Sequence, residues 1–194
     1  MRVLPCGDRA VLLDCASLDE ARRWHAALRD EADVTLGART VLVHGDPAAS
    51  RALVARTRPQ ELEHTVGELV EIPVVYDGDD LDDVARLTGL TPSEVVEAHT
   101  GRPWIATFAG FAPGFVYLSG GDPRLDVPRR STPRTRVPAG SVGLAGTLSG
   151  VYPRPSPGGW QLIGRTYVPM WDLDADPPAR LRPGARVQFV EARR

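Results

Sequence analysis

The first sixty residues alternate short apolar runs with segments of helical periodicity. Two runs of consecutive apolar positions predict strands: Arg9–Leu13 and Thr40–Val43. Ser17 and Glu20 have the spacing of a capping box ahead of a helix over about residues 18–30. Asp46 followed by Pro47 predicts the start of a second helix. Two strand-then-helix units predict a small α/β domain, with both helices on one face of a sheet.

A boundary separates this domain from the rest of the chain. The pattern loses its period between residues 57 and 69, and we place the boundary there, with residues 1–62 before it and residues 63–194 after it. Val70–Tyr76 then predicts a strand. Within it, Pro73 marks a sheet edge or a bulge, because proline cannot donate to the hydrogen-bond ladder.

The remainder of the chain predicts two short helices and then many short strands. The Asp79–Asp80 pair caps the first helix, and Thr91 with Glu94 forms a capping box for the second. Apolar stretches then recur between clusters of glycine and proline: Ile105–Ala109, Phe115–Leu118, Val142–Ala145, Gln161–Ile163, Tyr167–Trp171 and Arg186–Val190. This spacing favours a closed or nearly closed β-barrel over a parallel sheet, so the predicted fold class is α+β.

Composition excludes several functions. All 23 basic residues are arginines, and the absence of lysine excludes a P-loop, a Schiff-base enzyme and a biotinyl or lipoyl carrier. All histidines and both cysteines lie in the first hundred residues, which excludes a Ser-His-Asp site or a histidine-ligated metal built within the barrel. Only His99 comes close enough in sequence to serve the barrel. Its alternative role is to compensate the dipole at a helix C-terminus.

Charge is unevenly distributed along the chain. The formal charge is −9 over the first hundred residues and +7 over the remaining 94, so the second half can attract anions. Nucleic acid is a weaker candidate, because the chain lacks a lysine-rich face. No apolar run approaches the ~18 residues of a membrane span, and the start lacks the apolar core of a signal peptide. We therefore expect a cytoplasmic protein that binds neither nucleic acid nor membranes.

One candidate ligand-binding stretch is rich in aromatic residues and glycine. Residues 110–118 combine glycines, which let the backbone approach a ligand, with apolar walls from Phe111, Phe115 and Tyr117. The alternative is a barrel strand with a bend and core aromatics. A second stretch, Ser156–Trp160, contains a double glycine whose amides can form an anion nest or a plain turn.

A third stretch, the arginine loop (residues 124–136), carries five arginines stiffened by prolines: Arg124, Arg129, Arg130, Arg134 and Arg136. Guanidinium groups bind carboxylate or phosphate through two parallel hydrogen bonds, and prolines limit the entropy lost on binding. The loop therefore predicts a site for a small anion. A solvated basic loop, or a surface that docks acidic residues, is the alternative.

Three long segments carry a resemblance to a known family: GFAPGFVYL (110–118), DPRLDVPRRSTPRTRVPAGSVGLAG (122–146) and VYPRPSPGGWQLIGRT (151–166). With them, the chain resembles the family of the 5-oxoprolinase B subunit, also called allophanate hydrolase subunit 1, whose members include the histidine-kinase inhibitor KipI. The opening LPCGDRAVLL (4–13) and the segment VEIPVVYDGDDLDDVARLTGL (70–90) look like the same family.

The resemblance implies a small α/β N-terminal domain followed by a cyclophilin-like β-barrel of carboxyltransferase type. It also implies the B component of an ATP-dependent complex that hydrolyses the lactam of 5-oxoproline to L-glutamate. Its partners would be a C-like subunit, which supplies the other carboxyltransferase half, together with an A-like subunit. The complex would consume ATP, with or without Mg²⁺, and no biotin would be carried on this chain. The chain alone is then expected to be inactive.

Ten residues are expected to bind the small anionic substrate: Phe111, Pro113, Phe115, Tyr117, Arg129, Arg134, Ser156, Gly158, Gly159 and Trp160. No catalytic residue and no metal ligand is assigned. Family members often carry a glutamine just before the tyrosine–proline pair, where this chain has Leu148. That departure bears on which substrate this protein takes.

Two other functions stay open at the level of sequence. A KipI-like inhibitor would bind a sensor histidine kinase and perform no chemistry. Half of an allophanate hydrolase or urea carboxylase-type carboxyltransferase would need a biotin carrier on another chain, because this one has no lysine to biotinylate.

Overall fold

The computed structural model describes residues 1–62 and 67–193. The chain divides into two compact units, Met1–Thr65 and Val66–Arg194. The predicted boundary after residue 62 adjoins residues 63–66, which lie outside the described residues, so its position stays a prediction. No helix in the described parts is long and apolar enough to cross a membrane.

The first unit is a four-stranded sheet covered by two helices over the described residues 1–62. Its elements are β1 (Arg2–Pro5), β2 (Ala10–Asp14), α1 (Leu18–Leu28), β3 (Val34–Leu36), β4 (Thr40–His44) and α2 (Pro47–Arg56). The strands are antiparallel in the order β1-β2-β4-β3. Alternate residues of β2 and β4 pack in one cluster with side chains from both helices. The predicted α/β unit is therefore confirmed, although the short outer strands β1 and β3 were not predicted.

The helix starts in this unit follow the capping signals. The Ser17 hydroxyl accepts a hydrogen bond from the Glu20 amide at 3.1 Å, and the Asp46 carboxylate accepts one from the Ala49 amide at 2.8 Å. The Glu20 carboxylate reaches back to the Ala16 amide at 2.6 Å, one residue before the cap. These contacts satisfy amides that have no partner inside the helix.

The second unit begins with a strand and a helical pair and continues as strands. Its elements are β5 (Leu69–Val74), α3 (Leu81–Thr88), α4 (Pro92–Thr100), β6 (Trp104–Ala109), β7 (Val116–Ser119), β8 (Arg134–Val137), β9 (Ser141–Ala145), β10 (Leu148–Val151), β11 (Ser156–Gly158), β12 (Gln161–Arg165) and β13 (Arg186–Glu191). A short 3-10 helix, Pro123–Leu125, precedes most arginines of the loop.

Seven of these described strands form one sheet that almost closes on itself. The order is β12-β9-β10-β7-β6-β13-β5, and only β13 and β5 run parallel. Just beyond β5, Val75 exchanges two backbone hydrogen bonds of 2.9 Å with Arg165 of β12. This bridge brings the two edges together, and Pro73 lies in an edge strand as predicted. The expected α+β class with a nearly closed barrel is confirmed.

Two sequence expectations about local structure are wrong. Tyr167–Trp171 is not a strand: the Val168 amide bonds to the Thr166 hydroxyl at 3.2 Å, which folds the chain into a turn, and Tyr167 is 79% exposed. Asp80 stands at the start of α3, but its side chain makes no capping hydrogen bond. Its carboxylate instead accepts hydrogen bonds from Arg130, Arg134 and the Leu162 amide.

His99 has a structural role in the barrel interior. It is fully buried, and its ring nitrogens bond to the Tyr76 hydroxyl at 2.7 Å and the Ser149 hydroxyl at 2.9 Å. Burial lowers the pKa of His99 to about 3, so the ring is neutral at physiological pH. A neutral ring cannot compensate the α4 dipole, and the helix-dipole interpretation is wrong.

Candidate functional site

An aromatic cluster packs separately from the main core of the barrel: Phe111, Phe115, Tyr117, Tyr152 and Trp160. Phe115 stands at its centre and meets Tyr152 and Trp160 edge-on, with ring centroids 5.5 Å apart in each pair. Phe115 and Trp160 are buried, whereas Tyr117 is half-buried. Edge-to-face contacts of this kind hold the rings in fixed orientations.

Phe111 is the exposed member of the aromatic cluster. Its side chain is 56% exposed, and its backbone has φ of 68°, a left-handed conformation that costs energy in a residue with a bulky side chain. Pro113 and Gly114 form the next turn, in which the Phe115 amide bonds to the Ala112 carbonyl at 2.9 Å. Gly114 has φ of 81°, as a proline–glycine turn requires. Pro113 therefore lies in the turn that sets the backbone conformation next to Phe111.

The arginine loop is anchored by a buried carboxylate. Asp80 is 1% exposed and accepts two hydrogen bonds of 2.8 Å from Arg134 and one of 2.5 Å from Arg130. It also accepts a bond of 2.7 Å from the Leu162 amide. Burial alone would raise the pKa of Asp80, but these hydrogen bonds and charges hold it below its usual range. Asp80 therefore stays ionised and ties the loop to β12.

Arg129 differs from its neighbours. It is exposed, and it forms no ion pair with any carboxylate of the described chain. Its charge acts on the phenol groups of Tyr117 and Tyr152, where it opposes the pKa rise that burial causes. Because burial prevails, the pKa of both phenols is raised, and both remain hydrogen-bond donors at neutral pH. The exposed guanidinium of Arg129 and the half-buried phenol of Tyr117 are thus both donors that suit a carboxylate, whereas Tyr152 is buried.

The Ser156–Trp160 stretch supports this region. A Cβ atom on Gly158 would lie 2.3 Å from the Tyr152 hydroxyl oxygen, so only glycine lets the two chain segments come this close. The backbone conformation does not itself require glycine here, because φ of Gly158 is not positive. The Trp160 amide bonds to the same hydroxyl, and the Gly159 carbonyl accepts from the Arg130 amide at 2.8 Å. Ser156 is buried and donates to the Arg154 carbonyl at 3.1 Å.

The structure therefore sorts the ten expected substrate-binding residues. Phe111 and Arg129 are exposed, and Tyr117 is half-buried beside Phe115. Those that hold the surroundings in place are Pro113, Phe115, Arg134, Ser156, Gly158, Gly159 and Trp160. Substrate contact by any of the ten stays a prediction, and the donors of Arg134 are engaged by Asp80. Leu148, half-buried, packs against the cluster that contains Phe115 and Trp160.

Two residues of this region are not among the expected ones. The sequence indicates only a helix cap at Asp80, because nothing local distinguishes a capping aspartate from one that binds distant arginines. Tyr152 could have been found from the sequence, because it lies in one of the three segments that carry the family resemblance. No group of three or more metal-ligating His, Cys, Asp or Glu side chains occurs in residues 1–62 and 67–193.

Comparison with known proteins places this fold and site in context. Residues 1–181 match the family described as carboxyltransferase domain, subdomain C and D. A Bacillus subtilis protein named as the B subunit of 5-oxoprolinase is 48% identical over 125 residues, which cover 63% of this chain and 52% of that relative. The matched part thus spans about half of that relative's length. A Haemophilus influenzae protein of the same name is 37% identical over 207 residues, covering 98% and 97% of the two chains.

A solved structure confirms the architecture. The K. lactis urea amidolyase structure superposes with a TM-score of 0.80 over 98% of this chain and 15% of that one, at 18% identity. At that identity the likeness concerns the fold alone.

Proposed function

Since this chain belongs to the family of the carboxyltransferase domain, subdomain C and D, we propose that it is the B subunit of a cytoplasmic, ATP-dependent 5-oxoprolinase complex. The complex hydrolyses the lactam of 5-oxoproline to L-glutamate. The observation that carries the proposal is the match over 98% of the chain to a Haemophilus influenzae protein named as the B subunit of 5-oxoprolinase.

The geometry supports a role in binding the substrate. The guanidinium of Arg129, which forms no ion pair within the described residues, forms a charged, two-pronged contact with the 5-oxoproline carboxylate, and the half-buried hydroxyl of Tyr117 donates to the same group. The raised pKa of the Tyr117 phenol is consistent with a hydroxyl that donates its proton in a hydrogen bond. Phe111, exposed on its turn, covers the apolar face of the ring.

The chemistry needs groups beyond this chain. In the complex, ATP would phosphorylate the lactam carbonyl oxygen and leave as ADP. Water would then add to the carbonyl carbon and the ring C–N bond would break, with a proton going to the nitrogen, to give an acyl phosphate that a second water hydrolyses to L-glutamate and inorganic phosphate. The chain has no lysine and therefore no P-loop, so we assign ATP binding to the assembled complex. The partners are a C-like protein, which supplies the other carboxyltransferase half, and an A-like protein.

A coupled ATPase assay tests this function. The purified chain is assayed alone, with the C-like protein from the same genome, and with both the C-like and the A-like proteins. We expect ATP hydrolysis that depends on 5-oxoproline only when all three are present. Turnover by the chain alone would contradict the need for partners, and no turnover in any combination would contradict the function itself.

A further inference from the structure

A positively charged cleft opens beside the arginine loop. It has a volume of about 370 Å³ and lies between loop residues 128–131, α3 and the start of β12. Its lining includes the guanidinium-bearing residues Arg86, Arg129 and Arg130. Of these, Arg86 is paired with Asp83 and Arg130 with Asp80, which leaves Arg129 for a ligand. The cleft is thus continuous with the residue that we assign to the substrate carboxylate.

Gln161 lines this cleft and carries a hydrogen-bond acceptor without a partner. The residue is 5% exposed, and its side-chain NH₂ donates to the Pro128 carbonyl at 3.1 Å. That bond fixes which end of the amide is nitrogen. The other end, Oε1, is buried and accepts no hydrogen bond from the described residues. A buried carbonyl oxygen without a hydrogen-bond donor is unfavourable in a folded protein, so a ligand that donates to it is favoured at this position.

Arg130 supplies the complementary group. One of its terminal NH₂ groups donates to Asp80, but its Nε–H is buried and bonds to no acceptor in the described part of the chain. The same cleft is therefore lined by two side chains, one with a free buried acceptor and one with a free buried donor. A ligand that satisfies both must present a donor and an acceptor close together.

We propose that Gln161 and Arg130 recognise the lactam amide of the substrate. Gln161 Oε1 accepts from the ring N–H, and Arg130 Nε–H donates to the ring carbonyl oxygen. A five-membered lactam is obliged to hold its amide cis, so its N–H and C=O point to the same edge, as this pair of contacts requires. This inference rests on the proposed function and deepens it: Gln161 is the residue that distinguishes a lactam from other cyclic acids.

Access to these atoms requires a small movement. Both are covered in the structure, so the substrate reaches them only after a lining side chain turns. Arg129, which lines the same cleft, is exposed and forms no ion pair within the described residues, so its side chain can change rotamer when the substrate binds.

The test replaces Gln161 with methionine, which has a similar shape and no amide. Gln161→Met removes the unsatisfied Oε1 and also the bond to the Pro128 carbonyl, so the free energy of unfolding is measured only to show that the variant folds. The discriminating readout is the preference for a lactam over a lactone. Ser131→Ala, in an exposed residue of the same cleft, is the matched control.

Function is measured in the reconstituted three-protein complex with 5-oxoproline and its lactone analogue, 5-oxotetrahydrofuran-2-carboxylate, which has a ring oxygen in place of N–H. We expect the wild-type complex to bind the lactone, as a competitive inhibitor, at least about tenfold more weakly than the lactam. Gln161→Met should raise KM for the lactam about tenfold and remove this preference, whereas Ser131→Ala should change neither.

Three results would overturn the inference. If Gln161→Met folds and keeps the lactam preference, Gln161 is structural. If the wild-type complex binds lactam and lactone equally while turning over 5-oxoproline, the proposed function stands and the role of Gln161 fails. A wild-type complex that does not act on 5-oxoproline at all removes the proposed function and this inference together.

Discussion

Two neighbouring arginines of the second unit differ in how their charge is balanced. Arg130 shares the buried carboxylate of Asp80 with Arg134, and a backbone amide completes that cluster. Arg129, one residue earlier, is exposed and forms no ion pair within the described residues. Counting charge along the sequence treats these arginines alike. The structure separates cations that hold the loop in place from one that is available to an anion.

The difference arises from a contact that is distant in sequence. Asp80 lies 50 residues before Arg130 and 54 before Arg134. A carboxylate at the start of another helix decides which guanidinium groups are neutralised. The binding role that we propose for Arg129 therefore rests on the position of that carboxylate rather than on the number of arginines.

The largest effect should follow from removing the carboxylate charge. Asp80→Asn leaves Arg130, which is largely covered, without a counter-charge, and leaves Arg134 with only the exposed carboxylate of Asp79 at 3.7 Å. We expect the free energy of unfolding of the second unit to fall by about 3 kcal/mol in urea denaturation. Asp79→Asn is the matched comparison: Asp79 is 80% exposed and its carboxylate lies 3.7 Å from Arg134, so losing this longer, solvated contact should change stability by less than about 0.5 kcal/mol.

Acid should produce the same loss in the wild-type protein. Because the folded state lowers the pKa of Asp80, its contribution is present above the ordinary carboxyl pKa of about 3.9 and is lost as pH falls through the lower, folded value. Asp80→Asn should lack that part of the acid sensitivity. Equal stability of the variant and the wild type at neutral pH would show that the Asp80 cluster does not hold the loop.

A smaller loss of stability should follow from a change at Gly158, beside the aromatic cluster. Gly158→Ala places a methyl group 2.3 Å from the Tyr152 hydroxyl oxygen, and Tyr152 must shift. We expect a loss of about 1–3 kcal/mol in thermal or urea unfolding. Gly159→Ala is the control, because the nearest atom to its new methyl group would be 3.6 Å away, on Pro133.

The source of the Gly158 effect can be isolated with a second change. Tyr152→Phe removes the hydroxyl, so the double variant should lose less stability than the sum of the two single variants. Strict additivity would mean that the glycine is needed for another reason.

Local signals in the sequence predict the framework well. Capping residues place α1, α2 and α4, and the clusters of glycine and proline between apolar runs predict the barrel. Strands β8, β10 and β11 escape such a prediction, because their residues are mostly arginine, glycine, serine and proline rather than alternating apolar ones. Their pairing is set by neighbouring strands, which a local pattern cannot show.

The site can be predicted by residue type but not by role. The aromatic stretch and the arginine loop do lie in one unit, as expected. What the sequence could not supply was the bond from Arg134 to Asp80 or the approach of Gly158 to Tyr152, since both depend on chain segments brought together only in the fold. The sequence marks Gln161 only as the start of a strand, because burial of an unpartnered amide is invisible before the structure.

The claim that Arg129 binds the substrate while Arg134 holds the loop is tested most directly by measuring stability and KM for 5-oxoproline in two variants, Arg129→Gln and Arg134→Gln. For Arg129→Gln we expect almost no change in stability, within about 0.5 kcal/mol, but a rise in KM for 5-oxoproline of at least about thirtyfold. For Arg134→Gln we expect a loss of about 2 kcal/mol of stability, because Asp80 loses two hydrogen bonds. Normal KM in Arg129→Gln, or destabilisation equal to that of Arg134→Gln, would contradict the assignment of Arg129 to the substrate.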